Sequence, residues 1–388
     1  MGIDYDGPGD MYAFVDAIHE NDPRDAYARV ILHLDCVQAL AFDASDEASR
    51  DPQQLALVRV ITTWRAMWKH FGVDRIGDGE WLSIRIQKKP SLPRAWLLPA
   101  AADYRLGTPL NLVRVERIGD GDRVRADLAR ASCFMQAVPQ PKPLASAFQP
   151  HAARFKNDVE IIALDVGQAS SAVFRSGGKA FGFFDVGAPI WFNQKSMPTK
   201  YRPPKVKDGF VMLSHWDFDH IDQARRFPEL RSLDWFAPDQ TVGPNTVRLQ
   251  EQIGSKLTFV HGSASFGNVS LSPGTSVIPN DRNGTGYAMR VEHNGEVALL
   301  LGDSDYQFVQ PGLLAGATAI TIPHHGGRGT APPRPAGGRA IAIASYGKPN
   351  SYRHPYEPHL DDHDTKGWTV SRTATSSPLS RRGNRRLI

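Results

Sequence analysis

The sequence predicts an α/β protein in two parts, a smaller helix-rich α+β part ahead of a larger strand-rich one. Three observations carry this. Apolar residues recur at helix spacing in two long stretches near the start. A Pro- and Ala-rich segment without periodicity then interrupts the chain. From Asp158 onward short apolar runs follow one another, many ending in Gly, His or Asp. At 388 residues the chain is also too long for one ordinary core, which fits two domains.

The elements follow in order. RDAYARVILHLDCVQALAF places Tyr27, Val30, Ile31, Leu34, Val37 and Leu40/Ala41 on one helical stripe. QLALVRVITTWRAMWKHF does the same with Val58, Ile61, Trp64, Trp68 and Phe71. WLSIRIQ and LNLVRVERI read as strands, so residues 1–137 form a helix-rich domain, a candidate module for a protein partner or for specificity. VPQPKPLASAFQPHAARF marks residues 138–157 as a linker. VEIIALDVG, SAVFRSG, AFGFFDVG, FVMLSH, YAMRVEH, EVALLLGD, ATAITIPHH and RAIAIASYG are the strands of a domain spanning 158–375. Residues 376–388 read as a basic tail.

Bulk properties exclude several classes. With 41% hydrophobic and 22% charged residues the composition is that of a globular protein. Cys36 and Cys133 stand far apart in no ligand-like spacing, which fits a reducing compartment and argues against a disulfide framework. MGIDYDGPGD lacks the basic and apolar regions of a secretory signal, and no apolar run reaches bilayer-spanning length, so the expected location is the cytoplasm, with no membrane partner. The net charge of +4 says little by itself. Two clusters say more: Lys195, Lys200, Arg202, Lys205 and Lys207, and, from Ser371 onward, Arg372, Arg381, Arg382, Arg385 and Arg386 without an acid. Either could hold phosphates, and either could be a solvated surface.

The chemistry concentrates in VMLSHWDFDHID. His215, Asp217, Asp219 and His220 crowd into six positions on the loop leaving an apolar run. Such a loop can serve one or two metal ions, and two ions about 3.5–4 Å apart can lower the pKa of a water held between them. Further donors stand at later strand ends: Asp303 in LLLGD, His324 and His325 in IPHHGG, and His354 in RHP. His359 and His363, spaced i, i+4 in EPHLDDHD, fit a further metal site or a solvated helix start. His261 could add a ligand or lie on the surface.

DVGQ at Asp165–Gln168, FFDVG at Phe183–Gly187, SHWDFDHI, LLLGD, IPHHGG and RHP resemble, in this order, the metallo-β-lactamase superfamily. They look closest to the soluble nuclease-like domain of ComEC-type competence proteins, which internalise DNA. The resemblance covers most of Asp158–Arg372 and implies a four-layer αββα sandwich with a binuclear centre at one edge of its sheets. His215 and Asp217 would serve one ion, Asp219 and His220 the other, with Asp303 bridging and His324 and His354 completing the set. Asp219, His220 and Asp303 would carry the catalysis. Asp185, His325 and Arg328 would take supporting or substrate-binding roles. The superfamily loop reads H-x-H-x-D-H, and its second His is here Asp217. A carboxylate makes the site harder, which favours Mn²⁺, with Zn²⁺ or Mg²⁺ as alternatives.

The implied function is hydrolysis of a phosphodiester, with nucleic acid, DNA above all, as the partner in a defence or DNA-processing setting. Two alternatives stay open: hydrolysis of a small cyclic phosphodiester, lactone or thioester on the same site, and a metal-stabilised scaffold without catalysis. Full-length competence proteins carry a membrane channel, for which this sequence has no candidate segment.

Overall fold

The computed structural model describes residues 9–104, 107–119, 121–133, 140–156, 158–374 and 381–388. The chain divides into two compact units. The first is Met1–Val138 with Thr241–Gln252, and the second is Pro139–Gln240 with Ile253–Ile388.

The first unit is built on strands. β1 (Gly9–Glu20), β2 (Val30–Gln38), β3 (Leu55–Thr62), β4 (Trp81–Gln87), β5 (Arg94–Pro99) and β6 (Thr108–Arg117) close into an antiparallel barrel in the order β1-β2-β3-β5-β6-β4. The helices α1 (Ala39–Ala44), α2 (Trp64–Phe71) and α3 (Arg123–Ala131) are short. The helix-rich expectation is thereby corrected, and the physical reason is burial. Val30, Leu32, Leu34 and Cys36 line one core with Ala56, Val58 and Val60, but the opposite-facing Ile31, His33, Asp35 and Val37 are buried as well. His33 and Asp35 do alternate with Leu32, Leu34 and Cys36, but Ile31 and Val37 extend the apolar set onto the opposite face, so the apolar residues also fit a helical stripe. Tyr27, Leu40 and Trp68, three members of the expected stripes, are exposed. The end of the first stripe, at α1, and the α2 portion of the second are helical as read: the Thr63 hydroxyl caps α2 by accepting from the Ala66 N–H, and Gly72 ends it in the left-handed region.

The second unit begins with β7 (Lys142–Pro143) and α4 (Leu144–Ala152). Then come β8 (Glu160–Ala163), β9 (Ser171–Ser176), β10 (Lys179–Val186), β11 (Phe210–Met212), α5 (Phe218–Arg226), β12 (Asp234–Pro238) and β13 (Leu257–His261), while α6 (Pro244–Ile253), which lies between β12 and β13 in sequence, belongs to the first unit up to Gln252. A second series follows: β14 (Ala264–Ser265), β15 (Val269–Pro273), α7 (Arg282–Thr285), β16 (Tyr287–His293), β17 (Glu296–Leu300), α8 (Pro311–Leu314), β18 (Ala319–Thr321) and β19 (Ile341–Ala344). α9 (Glu357–Lys366), β20 (Thr369–Arg372) and β21 (Arg385–Arg386) close the chain. The strands form an eight-stranded sheet, β21-β8-β9-β10-β11-β12-β13-β7, and a seven-stranded one, β14 to β20 in sequence order.

One core joins the two sheets. Ile161, Phe174, Phe184, Met212, Phe236 and Val260 from the first pack with Leu271, Met289, Leu300, Ala319 and Ile343 from the second. A further core on the seven-stranded sheet collects Leu299, Leu301, Ile320 and Ala342 with Leu313 of α8 and Leu360 of α9.

Two expectations fail here for one reason, buried apolar area. Of the presumed linker, the described residues 140–156 are ordered into β7 and α4, and Leu144, Phe148, Ala152 and Phe155 belong to the inter-sheet core. The Phe148 ring stands edge-on to Phe210 and Phe236, with centroids 5.0 and 5.3 Å away. Of the presumed basic tail, residues 376–380 lie outside the described residues. The remainder is a staple: β21 pairs with β8, Leu387 and Ile388 are buried, and Arg382 grips both carboxylate oxygens of Asp165 at 2.6 and 2.9 Å.

Candidate metal centre

The site grows from strand ends of the second unit. β11 stops at Met212, and the following loop turns into α5 with Asp217 at its N-cap. His215 and His220 are fully buried. Two glycines let the pieces approach. A side chain on Gly302, whose φ is +55°, would stand 2.6 Å from the Ser214 side chain, and one on Gly187 would meet the Asp219 carbonyl at 1.7 Å. Asp303 therefore sits against the loop, and α5 against the end of β10.

Asp185, at the end of β10, organises this loop. It holds φ +57°, is fully buried, and accepts from the Ser214 N–H at 2.7 Å and the Ser214 hydroxyl at 2.9 Å. The Nδ1–H of His220 donates to its Oδ2 at 2.8 Å, which turns Nε2 of His220 away from Asp185 and into the cluster. Ser214 has given its only proton to Asp185, so its Oγ accepts from Nδ1 of His215 at 3.0 Å. The Nε2 of His215 is freed in the same way.

These freed atoms converge. His220 Nε2 lies 3.1 Å from Asp303 Oδ1, and His325 Nε2 lies 3.2 Å from Asp219 Oδ2 and 3.7 Å from Asp303 Oδ2. Yet His215 Nε2, His220 Nε2, Asp303 Oδ1 and His325 Nε2 are all buried without a hydrogen-bond partner. Donor and acceptor atoms this close but not aligned on one another are aimed at common points between them, as ligands of a cation are. Two groups of three have the spacing for an ion: His215, His220 and Asp303, and Asp219, His220 and His325. The donor set therefore fits a divalent metal.

Electrostatics agree. Burial pushes the Asp303 carboxyl up, but His325, His220 and His324 outweigh it and hold it well below the usual range. Burial likewise lowers His220, and Asp303 and Asp185 overcome this and raise it well above its ordinary value. Negative charge exceeds what the cluster can neutralise without positive charge among its histidines, and a bound cation can replace those protons.

The structure reverses the order of the histidine pair. Both residues sit in the left-handed region, His324 at φ +51° and His325 at φ +56°. It is His325 whose ring enters the cluster, with its Nδ1–H donating to the Ser345 carbonyl at 3.0 Å. His324 stands at the rim, its side chain 32% exposed and its Nδ1 3.7 Å from Asp303 Oδ2. His354 is also at the rim, with its ring centroid 5.4 Å from that of His324 and its Nδ1 3.0 Å from the Gln168 side-chain amide. Arg328 is exposed and stacks its guanidinium 4.0 Å over the Tyr356 ring.

Asp217 has a partner that sequence reasoning missed. Its Oδ1 takes a 2.8 Å ion pair from buried Arg282 at the start of α7, while Oδ2 lies 3.5 Å from His215 Nε2. Burial pushes this carboxyl up, and Arg282 with His215 outweighs it and holds it below the usual range. The carboxylate that was to harden the site comes with its own cation, which removes the net charge behind the preference for Mn²⁺. RNGTG reads as a surface turn, and nothing in it signals a buried arginine.

His359 and His363 are engaged in the packing of α9 and do not form a metal site. His363 donates from Nδ1 to the His359 carbonyl at 2.6 Å and accepts the Tyr306 hydroxyl on Nε2 at 2.7 Å. His359 faces the Gly327 and Thr330 carbonyls at 2.6 and 3.2 Å. His261 is exposed at the end of β13.

No helix among the described residues is long and apolar enough to cross a membrane. No protein-family model matches the sequence, and no curated protein does. Solved structures align with part of this chain at low identity and low TM-score. A metallo-β-lactamase fold protein, YhfI from Bacillus subtilis, is 13% identical with a TM-score of 0.37, covering 59% of this chain and all of its own. Zn²⁺-bound PqqB from Methylobacterium extorquens is 12% identical with a TM-score of 0.35, covering 55% of this chain and 98% of its own. Tm1679, described as a metal-dependent hydrolase of the β-lactamase superfamily, is 13% identical with a TM-score of 0.28, covering 54% of this chain and 86% of its own. At these scores the likeness carries no activity, substrate or ligand over to this chain.

Proposed function

We propose that the second unit is a metallo-β-lactamase-like hydrolase domain that uses two divalent metal ions to cleave phosphodiesters, with nucleic acid as substrate. The observation that carries this is the convergence of four buried, unpartnered atoms on His215, His220, Asp303 and His325. Divalent ions bound there would supply Lewis acidity, lowering the pKa of a water and offsetting charge on a phosphoryl oxygen.

The chain's own residues do the rest. Asp303 directs one oxygen towards His220 and the other towards His325, so it spans both halves of the centre. Asp185 and the Ser345 carbonyl hold the protons of His220 and His325 on Nδ1 and leave Nε2 as donor atoms. Half-buried His324 stands at the rim of the centre, 3.7 Å from Asp303 Oδ2, where it would contact a bound substrate.

The choice of an anionic polymer rests on the basic cluster. Its first members border the rim: the Ser196 hydroxyl accepts from the Gln168 N–H at 2.9 Å, and the Gln168 side chain reaches His354. From there Lys195, Lys200, Arg202, Lys205 and Lys207 are all exposed. Lys195 adjoins Ser196 at that rim and the other four follow on the loop leading to β11, a row of cations that can track a phosphate backbone away from the site.

The test is cleavage of single- and double-stranded DNA by the full chain with added Mn²⁺, Mg²⁺ or Zn²⁺, beside a small phosphodiester, a lactone and a thioester. Metal-dependent DNA cleavage that Asp219→Ala abolishes supports the reading. Hydrolysis of the lactone or thioester alone replaces the substrate class, and inertness towards every substrate and metal moves the chain to the scaffold alternative.

A further inference from the structure

The two halves of the centre differ in charge. Around Asp219 and His325 the carboxylates of Asp219 and Asp303 face the imidazole at 3.2 and 3.7 Å, and His324, another imidazole, approaches the same Asp303 oxygen at 3.7 Å. Around His215 the carboxylate is Asp217, and its charge is already met by Arg282 at 2.8 Å. That pair is built in. The Arg282 side chain is 6% exposed, its carbonyl accepts from the Gln240 side chain at 2.9 Å, and Asp281 caps the short helix α7 by accepting from the Gly284 N–H at 2.8 Å. Asp217 cannot turn both oxygens towards His215 without breaking the ion pair.

We propose that Arg282 makes the centre asymmetric: the Asp219–His325 half binds the first ion tightly, and the His215–Asp217 half binds a second ion about tenfold or more weakly. The inference deepens the metal-centre reading and rests on it. Arg282 acts through Asp217 and is a positioning residue. It keeps Asp217 on one oxygen and cancels its charge, so the pair behaves electrically like the neutral imidazole that the loop motif has at this place. A guanidinium held this close also repels an incoming cation, and low solvent exposure leaves that repulsion weakly screened. The metal load of the chain then follows the free ion concentration, one ion when metal is scarce and two when it is plentiful.

The probe is Mn²⁺ alone, titrated into metal-free full chain. Calorimetry follows affinity, and electron paramagnetic resonance separates isolated from spin-coupled ions. The wild type should show an isolated-ion signal up to one equivalent, then a coupled signal, with dissociation constants at least about tenfold apart. Arg282→Gln, which removes the charge and keeps a polar side chain, should tighten the second ion and close most of that gap, and Arg282→Lys should restore it. Asp217→Asn should lose the second ion and retain the first, a result that does not depend on how well the arginine variants fold. Two ions of equal affinity in the wild type, an unchanged gap in Arg282→Gln, or loss of the tight ion in Asp217→Asn would each overturn the proposal and leave the metal centre standing. Absence of any bound ion would overturn both.

Discussion

Asp185 Oδ2 lies 2.8 Å from Nδ1 of His220, and both side chains are fully buried. The contact decides which nitrogen of His220 carries the proton and thereby which one faces Asp303. Asp185→Asn puts an amide there that can offer a donor in place of the acceptor and releases the Ser214 hydroxyl. Metal affinity should fall by about tenfold to a hundredfold with the fold retained, read by competition with a chelating dye and by far-ultraviolet circular dichroism. Unchanged affinity would show that the contact is structural only.

The histidine pair gives a sharper contrast, because two neighbours of the same type are predicted to behave differently. His325→Ala removes a ligand atom from within the cluster and should cost the tight ion. His324→Ala removes a rim group and should leave metal binding within about threefold of wild type, well inside the tenfold range expected of groups that support a metal site. Equilibrium dialysis of the two variants decides. Equal losses would mean that both rings enter the centre.

Phe148 tests the correction to the domain reading. A residue in a linker tolerates truncation, whereas one in a close-packed core does not. Phe148→Ala should destabilise the second unit by about 3–5 kcal/mol, measured by urea unfolding followed through its tryptophans. A loss below about 1 kcal/mol would return this stretch to linker status.

Asp35 makes the first unit sensitive to pH. Burial, reinforced by Asp16, pushes its carboxyl up to about 8, although Asn245 donates to it from both its backbone and side-chain nitrogens. The folded state keeps this proton up to about pH 8, while the unfolded chain loses it near 3.8. Its contribution to stability is therefore full below about pH 4 and is lost as pH rises through 8. Urea midpoints of the wild type should decline between pH 5 and pH 8, and Asp35→Asn should flatten that decline. Parallel slopes in the two proteins would contradict the assignment.

Legibility followed the physics of each part. In the second unit a polar donor stands at or within three residues of the end of β10 (Asp185), β11 (His215), β17 (Asp303) and β18 (His324), so these strands could be read from runs such as AFGFFDV and EVALLL, and the donors came with them. The barrel was hidden because in β2 and β3 apolar residues such as Ile31, Val37, Leu55 and Leu57 flank the short alternating stretches 32–36 and 58–60, so the runs also fit helix spacing. The order within His324 and His325 was hidden too. Both residues adopt the same left-handed backbone, and which ring turns inward is set by the Ser345 carbonyl twenty residues later. Arg282 lies in a turn-like stretch, and only tertiary structure brings it to Asp217.

The central claim is that the His215–Asp303 cluster binds divalent metal, and one measurement reaches it most directly. Elemental analysis of the full chain dialysed against saturating Mn²⁺ or Zn²⁺ should give about two ions per chain, falling in His220→Ala, whose ring belongs to both three-residue groups. Metal-free protein at saturation, or a His220→Ala variant that holds as many ions as the wild type, would contradict the account.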